Sequence, residues 1–172
     1  MQQEELISLL LTEVRPALGC TEPAAVAFAV AKARDYLGGS INRIGLAVSG
    51  NIYKNALAVT IPNTEEAGLE MASALGLLKG NPEKGLEVFE TIESADVEQA
   101  KIFVSKGWVD VRIAKEDGIF IEARVEGERG WAEVVVSGGH TKVVLVTVNG
   151  ETLLEKDDSV RLHKGGGLFP DE

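Results

Sequence analysis

The sequence predicts an α+β domain, with helices packed on a mostly antiparallel sheet and a β-meander at the C-terminal end. Three observations carry this. Apolar residues recur at helical spacing through most of the first hundred positions. After Gly107 they alternate one by one with charged residues. Between the alternating stretches lie Gly- and Asn-containing turn sequences. Helices with a few strands first, then a run of strands, describe helices laid on one face of a sheet.

Taken in order, residues 3–15 read as an amphipathic helix: Leu6, Leu9, Leu10 and Val14 share helical spacing, and Glu4, Glu5 and Glu13 lie on other faces. Arg15-Pro16 closes it, because the residue before a proline avoids the helical region. A second helix starts near Glu22, with Thr21 as N-cap and Pro23 in the first turn, where its missing N–H costs nothing. It runs through Ala24–Leu37, apolar on most faces until Lys32 and so expected to be buried, and Gly38-Gly39 ends it. Residues 41–49 and 56–61 read as strands, joined by the polar loop Ser49–Asn55. Helices are expected over Thr64–Lys79, over 82–89 after Asn81-Pro82, and over 95–106. Asp96 and Glu98 suit the positive end of the last of these.

Val109, Val111 and Ile113 then alternate with Asp110 and Arg112, and Ile119, Ile121, Ala123 and Val125 with Glu122, Arg124 and Glu126. Segments 131–137 and 142–148 are also strand-like. The connections Glu116-Asp117-Gly118, Gly127–Gly130 and Asn149-Gly150 have hairpin composition, giving an antiparallel meander of four or five strands. Residues 1–156 form one domain on this reading. Residues 157–172, with Gly165-Gly166-Gly167, read as a flexible tail or linker.

Composition narrows the function. The 172 residues suffice for one domain with a real core. A formal net charge of −10 argues against sequence-independent nucleic-acid binding and against adsorption to an anionic membrane, both of which need clustered cations. No segment approaches the roughly 20 apolar residues needed to span a bilayer, and the acidic start does not read as a signal peptide. With a single cysteine there is no intrachain disulfide, which points to a cytoplasmic protein. The oligomeric state is left open, and a homo-oligomer is compatible with these residues.

Three segments can carry chemistry. Cys20 precedes a helix N-terminus, a position whose N–H groups and dipole favour the thiolate that a nucleophile or a metal ligand requires. The alternative is an inert, packed cysteine. Glu22 reads as an acid that only complements the helix dipole; its place next to the Cys20 loop is what keeps it a catalytic candidate. In the loop Ser49–Asn55, Ser49, Asn51, Lys54 and Asn55 have the donors and acceptors to hold a small substrate; a solvated turn explains the same residue types. His140, between two strands, is a candidate general base or a hairpin residue without a role. His163, in the tail, carries little weight. Gly165-Gly166-Gly167 lacks the following Lys-Ser/Thr of a phosphate loop.

Pro16-Ala17-Leu18-Gly19-Cys20-Thr21-Glu22-Pro23, Ser49-Gly50-Asn51-Ile52-Tyr53-Lys54-Asn55 and Gly139-His140-Thr141 together resemble segments of the L-cysteine desulfidases and iron–sulfur L-serine dehydratases, including the UPF0597-type members. The first motif is quite specific, the second moderately so, the third weak alone. The resemblance implies a [4Fe–4S] cluster held by three cysteines with one iron open, and no pyridoxal phosphate. It implies removal of the substrate's α-proton, loss of the β-substituent, and an enamine that hydrolyses to pyruvate and ammonia. By the same resemblance Cys20 is a metal ligand, His140 and Glu22 are catalytic candidates, and Ser49, Asn51, Lys54, Asn55 and Thr141 face a small amino-acid substrate. Family members are much longer and carry their other ligand cysteines in a C-terminal helical domain. The resemblance therefore implies an N-terminal part that needs that domain, or a partner chain, to be active. Two other readings stand beside it: a non-catalytic binding or assembly module on the same scaffold, and a cysteine-nucleophile enzyme with a Cys20–His140 dyad.

Overall fold

The computed structural model describes residues 4–5, 7–8 and 17–156. Most of the helix expected over 3–15 lies outside these residues, though Glu4, Glu5, Ile7 and Ser8 are helical. The expected tail, 157–172, also lies outside them. In order, the elements are α1 (Thr21–Leu37), β1 (Ile41–Val48), α2 (Gly50–Leu57), α3 (Leu69–Leu78), a 3-10 segment (Pro82–Glu87), α4 (Ser94–Ser105), β2 (Val109–Ile113), β3 (Phe120–Gly127), β4 (Gly130–Ser137), β5 (Val143–Val148) and β6 (Glu151–Glu155).

The expected α+β class holds. One six-stranded sheet runs β2-β1-β3-β4-β5-β6. All neighbours are antiparallel except β1 and β2, which pair in parallel from Ile44↔Val109 to Val48↔Ile113. The meander is β3 to β6. Its last turn, Asn149-Gly150, has both residues at positive φ, as a type I′ hairpin requires.

Several sequence expectations are corrected. Glu116-Asp117-Gly118 does not close a hairpin, because β1 is inserted between β2 and β3. The parallel β1–β2 pair instead needs a long crossover, which α2, α3, the 3-10 segment and α4 supply. Residues 50–57 form α2, not a loop followed by a strand over 56–61. Ser49 is the reason: its side chain accepts from Ile52 N and caps the helix, while Ile52 and Ala56, four apart, form the buried stripe. What remains of the expected strand is one bridge, Thr60↔Ala67. The helix expected from Thr64 begins only at Leu69.

α1 lies across β3 and β4 and is buried nearly all round, from Pro23 to Ala31. Its alanines let α3 approach closely: a Cβ on Gly76 would fall 2.6 Å from the carbonyl oxygen of Ala27. Arg34 ties the same pair together by donating to the carbonyls of Gly76, Leu77 and Gly80 at the end of α3. The main core joins these helices to one face of the sheet, through Ile44, Leu46, Val48, Ile121, Ala123, Val134 and Val136. At roughly 1.5–3 kcal/mol per fully buried Val, Leu or Ile, this layer dominates stability. Among the described residues, the apolar side chains of the second face form small clusters around Phe120, Val135, Val144 and Ala47, and no residue of α1 to α4 joins them.

Candidate functional site

Strand direction decides which residues meet. β1 ends at Val48, β3 begins at Phe120, β4 ends at Ser137 and β5 begins at Val143, and the strand pairing puts these four points at one end of the sheet. The loop before α1 is brought to the same end. All three sequence segments singled out above therefore lie toward one end of the sheet, although more than a hundred positions separate Cys20 from His140.

Cys20 is the N-cap of α1, one position earlier than the expected cap Thr21. Its thiol is partly exposed and donates to Glu22 Oε2 at 2.8 Å. The Thr21 hydroxyl donates to the same oxygen at 3.1 Å. The other oxygen, Oε1, accepts from Asn55 Nδ2 of α2 at 3.2 Å. Glu22 is thus the joint between the first segment and the second. Gly19 seats the loop from below, with φ +76 and so little space that a Cβ would lie 2.6 Å from Pro62 Cγ.

The charge states differ from the local expectation. A helix N-terminus should favour the Cys20 thiolate. Instead burial first, then the bond to the Glu22 carboxylate, push the thiol pKa up. Burial raises the proton affinity of Glu22 as well, but bonds from Cys20, Asn55, its own N–H and Thr21 outweigh it and hold that carboxyl below its usual range. The pair therefore rests as thiol and carboxylate, with the proton on sulfur.

The remaining candidates divide. Ser49 is buried, 1% exposed, and is committed to the scaffold: its hydroxyl donates to Gly118 O at 2.7 Å and its N–H to Phe120 O at 3.0 Å. Asn51 and Lys54 are exposed on α2; among the described residues it is Asn55, on the same helix, that bonds Glu22. His140 and Thr141 are partly exposed in the β4–β5 turn, which Gly138 N ties to Ile119 O at 3.1 Å. The Cys20 and His140 segments meet through a residue set that sequence reasoning missed. Leu18 N donates to Leu86 O at 3.4 Å, and the adjacent Gly85 faces Thr141, whose Cγ2 would lie 3.8 Å from a Cβ placed there. The 3-10 segment is a strap between the two loops. The sequence reads it as a short helix over 82–89 opened by Asn81-Pro82; it is a 3-10 segment over Pro82–Glu87, and nothing in its spacing says what it touches.

Among the described residues, no group of three or more His, Cys, Asp or Glu side chains is gathered to hold a metal ion, and no helix is long and apolar enough to cross a membrane.

The chain is similar to curated proteins named UPF0597 protein. One from Clostridium botulinum (strain Hall) is 44% identical over 156 residues, 90% of this chain and 36% of the relative. One from Aeromonas salmonicida (strain A449) is 42% identical over 158 residues, 92% of this chain and 36% of the relative. One from Yersinia enterocolitica is 42% identical over 152 residues, 87% of this chain and 34% of the relative. The chain thus spans about a third of the length of the relatives it matches. No family model matches it, and no solved structure does.

Proposed function

We propose that this chain, a homologue of UPF0597 proteins over nine-tenths of its length, is one part of an iron–sulfur amino-acid lyase. The reaction converts L-cysteine or L-serine to pyruvate and ammonia, with release of sulfide or water. The observation that carries this reading is the bridge Cys20–Glu22–Asn55, since it joins two of the segments on which the family resemblance rests.

The donor set fits a [4Fe–4S] cluster in part. Cys20 is the sequence's only cysteine, so this chain offers one thiolate ligand, on a partly exposed loop. The other ligands come from a C-terminal domain or partner chain. Once bound, a cluster with an open iron supplies a Lewis acid for the departing β-substituent. The rest falls to this chain's own side chains. Glu22 Oε2, 2.8 Å from Sγ, is positioned to take the thiol proton when sulfur becomes a ligand, and Asn55 steadies the carboxylate from its other side. Asn51 and Lys54, exposed on the same helix as Asn55, have the polarity to bind the substrate carboxylate. His140 is the candidate for the α-proton, with Thr141 beside it. A cysteine kept for iron requires reducing surroundings, so the proposal places the protein in the cytosol.

The test is co-expression, under anaerobic conditions, with the remaining two-thirds of a UPF0597 relative, followed by assay for sulfide and pyruvate from L-cysteine and for pyruvate from L-serine. Production by the pair and by neither part alone supports the reading. Tight binding of cysteine or serine by this chain alone, with no turnover by the pair, supports a binding module instead.

A further inference from the structure

The second face of the sheet holds a cluster of charges that the proposed lyase site does not use. β2 contributes Asp110 and Arg112, β1 contributes Arg43, β3 contributes Glu122, Arg124 and Glu126, β4 contributes Glu133 beside Trp131, and β6 contributes Glu155. Strand β5 places no titratable group there: its residues on this face are Leu145 and Thr147. Small residues on β1 make the cluster possible. Ala47 lies in register between Arg112 and Glu122, so the arginine reaches over it to the glutamate at 3.4 Å. Arg124 pairs with Glu126 at 2.9 Å and stacks on the Trp131 ring at 4.1 Å.

Two of the three central glutamates are therefore matched with arginines. Glu133 is directly across from Arg124 in the β3–β4 register, yet the Arg124 guanidinium is turned along its own strand to Glu126. Glu133 takes part in no hydrogen bond or ion pair among the described residues.

We propose that Glu133 is a proton-operated switch on the second face of the sheet. Protonated, it leaves the Arg112–Glu122 and Arg124–Glu126 pairs undisturbed. Ionised, it sets a third glutamate charge beside Glu122 and draws Arg124 from Glu126 and off Trp131. Burial, and then the charge of Glu122, raise the Glu133 carboxyl to about 7, against the opposing pull of Arg124 and Arg112. The group thus changes charge near neutrality, where ordinary glutamates have long been ionised. Since the folded-state value lies above the unfolded one, the stability Glu133 contributes is complete below the ordinary glutamate pKa and is lost as pH rises through about 7.

The experiment uses the full chain. Carboxyl-carbon NMR follows Glu133 while the Trp131 indole resonance reports the arginine stack, in the wild type and in Glu133→Gln. The expected result is one shared midpoint near neutrality for both probes in the wild type, and no indole response over that range in the variant. Between about pH 5 and pH 8 the wild-type folding equilibrium constant is expected to fall on the order of tenfold to a hundredfold relative to Glu133→Gln. Titration of Glu133 in the ordinary carboxylate range overturns the proposal, as does an indole response that persists in Glu133→Gln. If the variant does not fold, the wild-type titration decides alone: separate midpoints for the two probes reject the switch.

Discussion

The Cys20 thiol donates to the Glu22 carboxylate across the first turn of the helix that Cys20 caps, at 2.8 Å. This contact sets the resting chemistry of the loop. The sulfur keeps its proton first because it is partly buried, and then because the acceptor two residues on is a carboxylate held ionised by the bonds from Cys20 itself, Asn55 and Thr21.

Neutralising that carboxylate should release the thiol. In Glu22→Gln the charge that disfavours the thiolate is gone, and the helix N-terminus is opposed only by burial of the thiol. The pH midpoint of Cys20 alkylation is expected to move down, and the rate at pH 8 to rise several-fold. Asn55→Ala is expected to act more weakly, since it removes one neutral donor at 3.2 Å. An alkylation profile unchanged in Glu22→Gln would contradict the contact.

Ser49 is expected to behave as scaffold and not as a substrate contact. Ser49→Ala removes the cap of α2 and leaves Gly118 O without its 2.7 Å donor. The expected cost is about 1–2 kcal/mol in urea unfolding. With the complete enzyme, KM for the amino acid should be unaffected at temperatures where the variant is folded. A raised KM with unchanged stability would return Ser49 to the substrate side.

Gly76 is where α3 packs directly on the backbone of α1. Any side chain there meets the Ala27 backbone, which cannot rotate away. Gly76→Ala is expected to lose about 1–3 kcal/mol despite the better helix propensity of alanine, as read by denaturant midpoint. A stabilised variant would show that α1 and α3 stand further apart.

The layers and most strands were legible in the sequence because alternation and helical spacing are local signals: Ile121, Ala123 and Val125 announce one face of a strand without knowledge of its neighbours. What sits beside what was not local. Glu116-Asp117-Gly118 has hairpin composition, yet β1 takes the place between β2 and β3. The helix α2 was hidden because Ser49, Gly50 and Asn51 are turn formers, and only the Ile52–Ala56 pair carries its periodicity. In the site, the residue types were visible but the partnership was not. Nothing in the spacing says that Glu22 turns back to Cys20, or that Asn55 on another helix completes the bridge.

The central claim, that Cys20 is an iron ligand, is tested most directly by Mössbauer spectroscopy of the anaerobically reconstituted pair, comparing the wild type with Cys20→Ser. The expected result is a [4Fe–4S] spectrum in the wild type that is lost, or altered at one iron site, when the sulfur becomes oxygen. An identical spectrum and equal iron content in Cys20→Ser would contradict it.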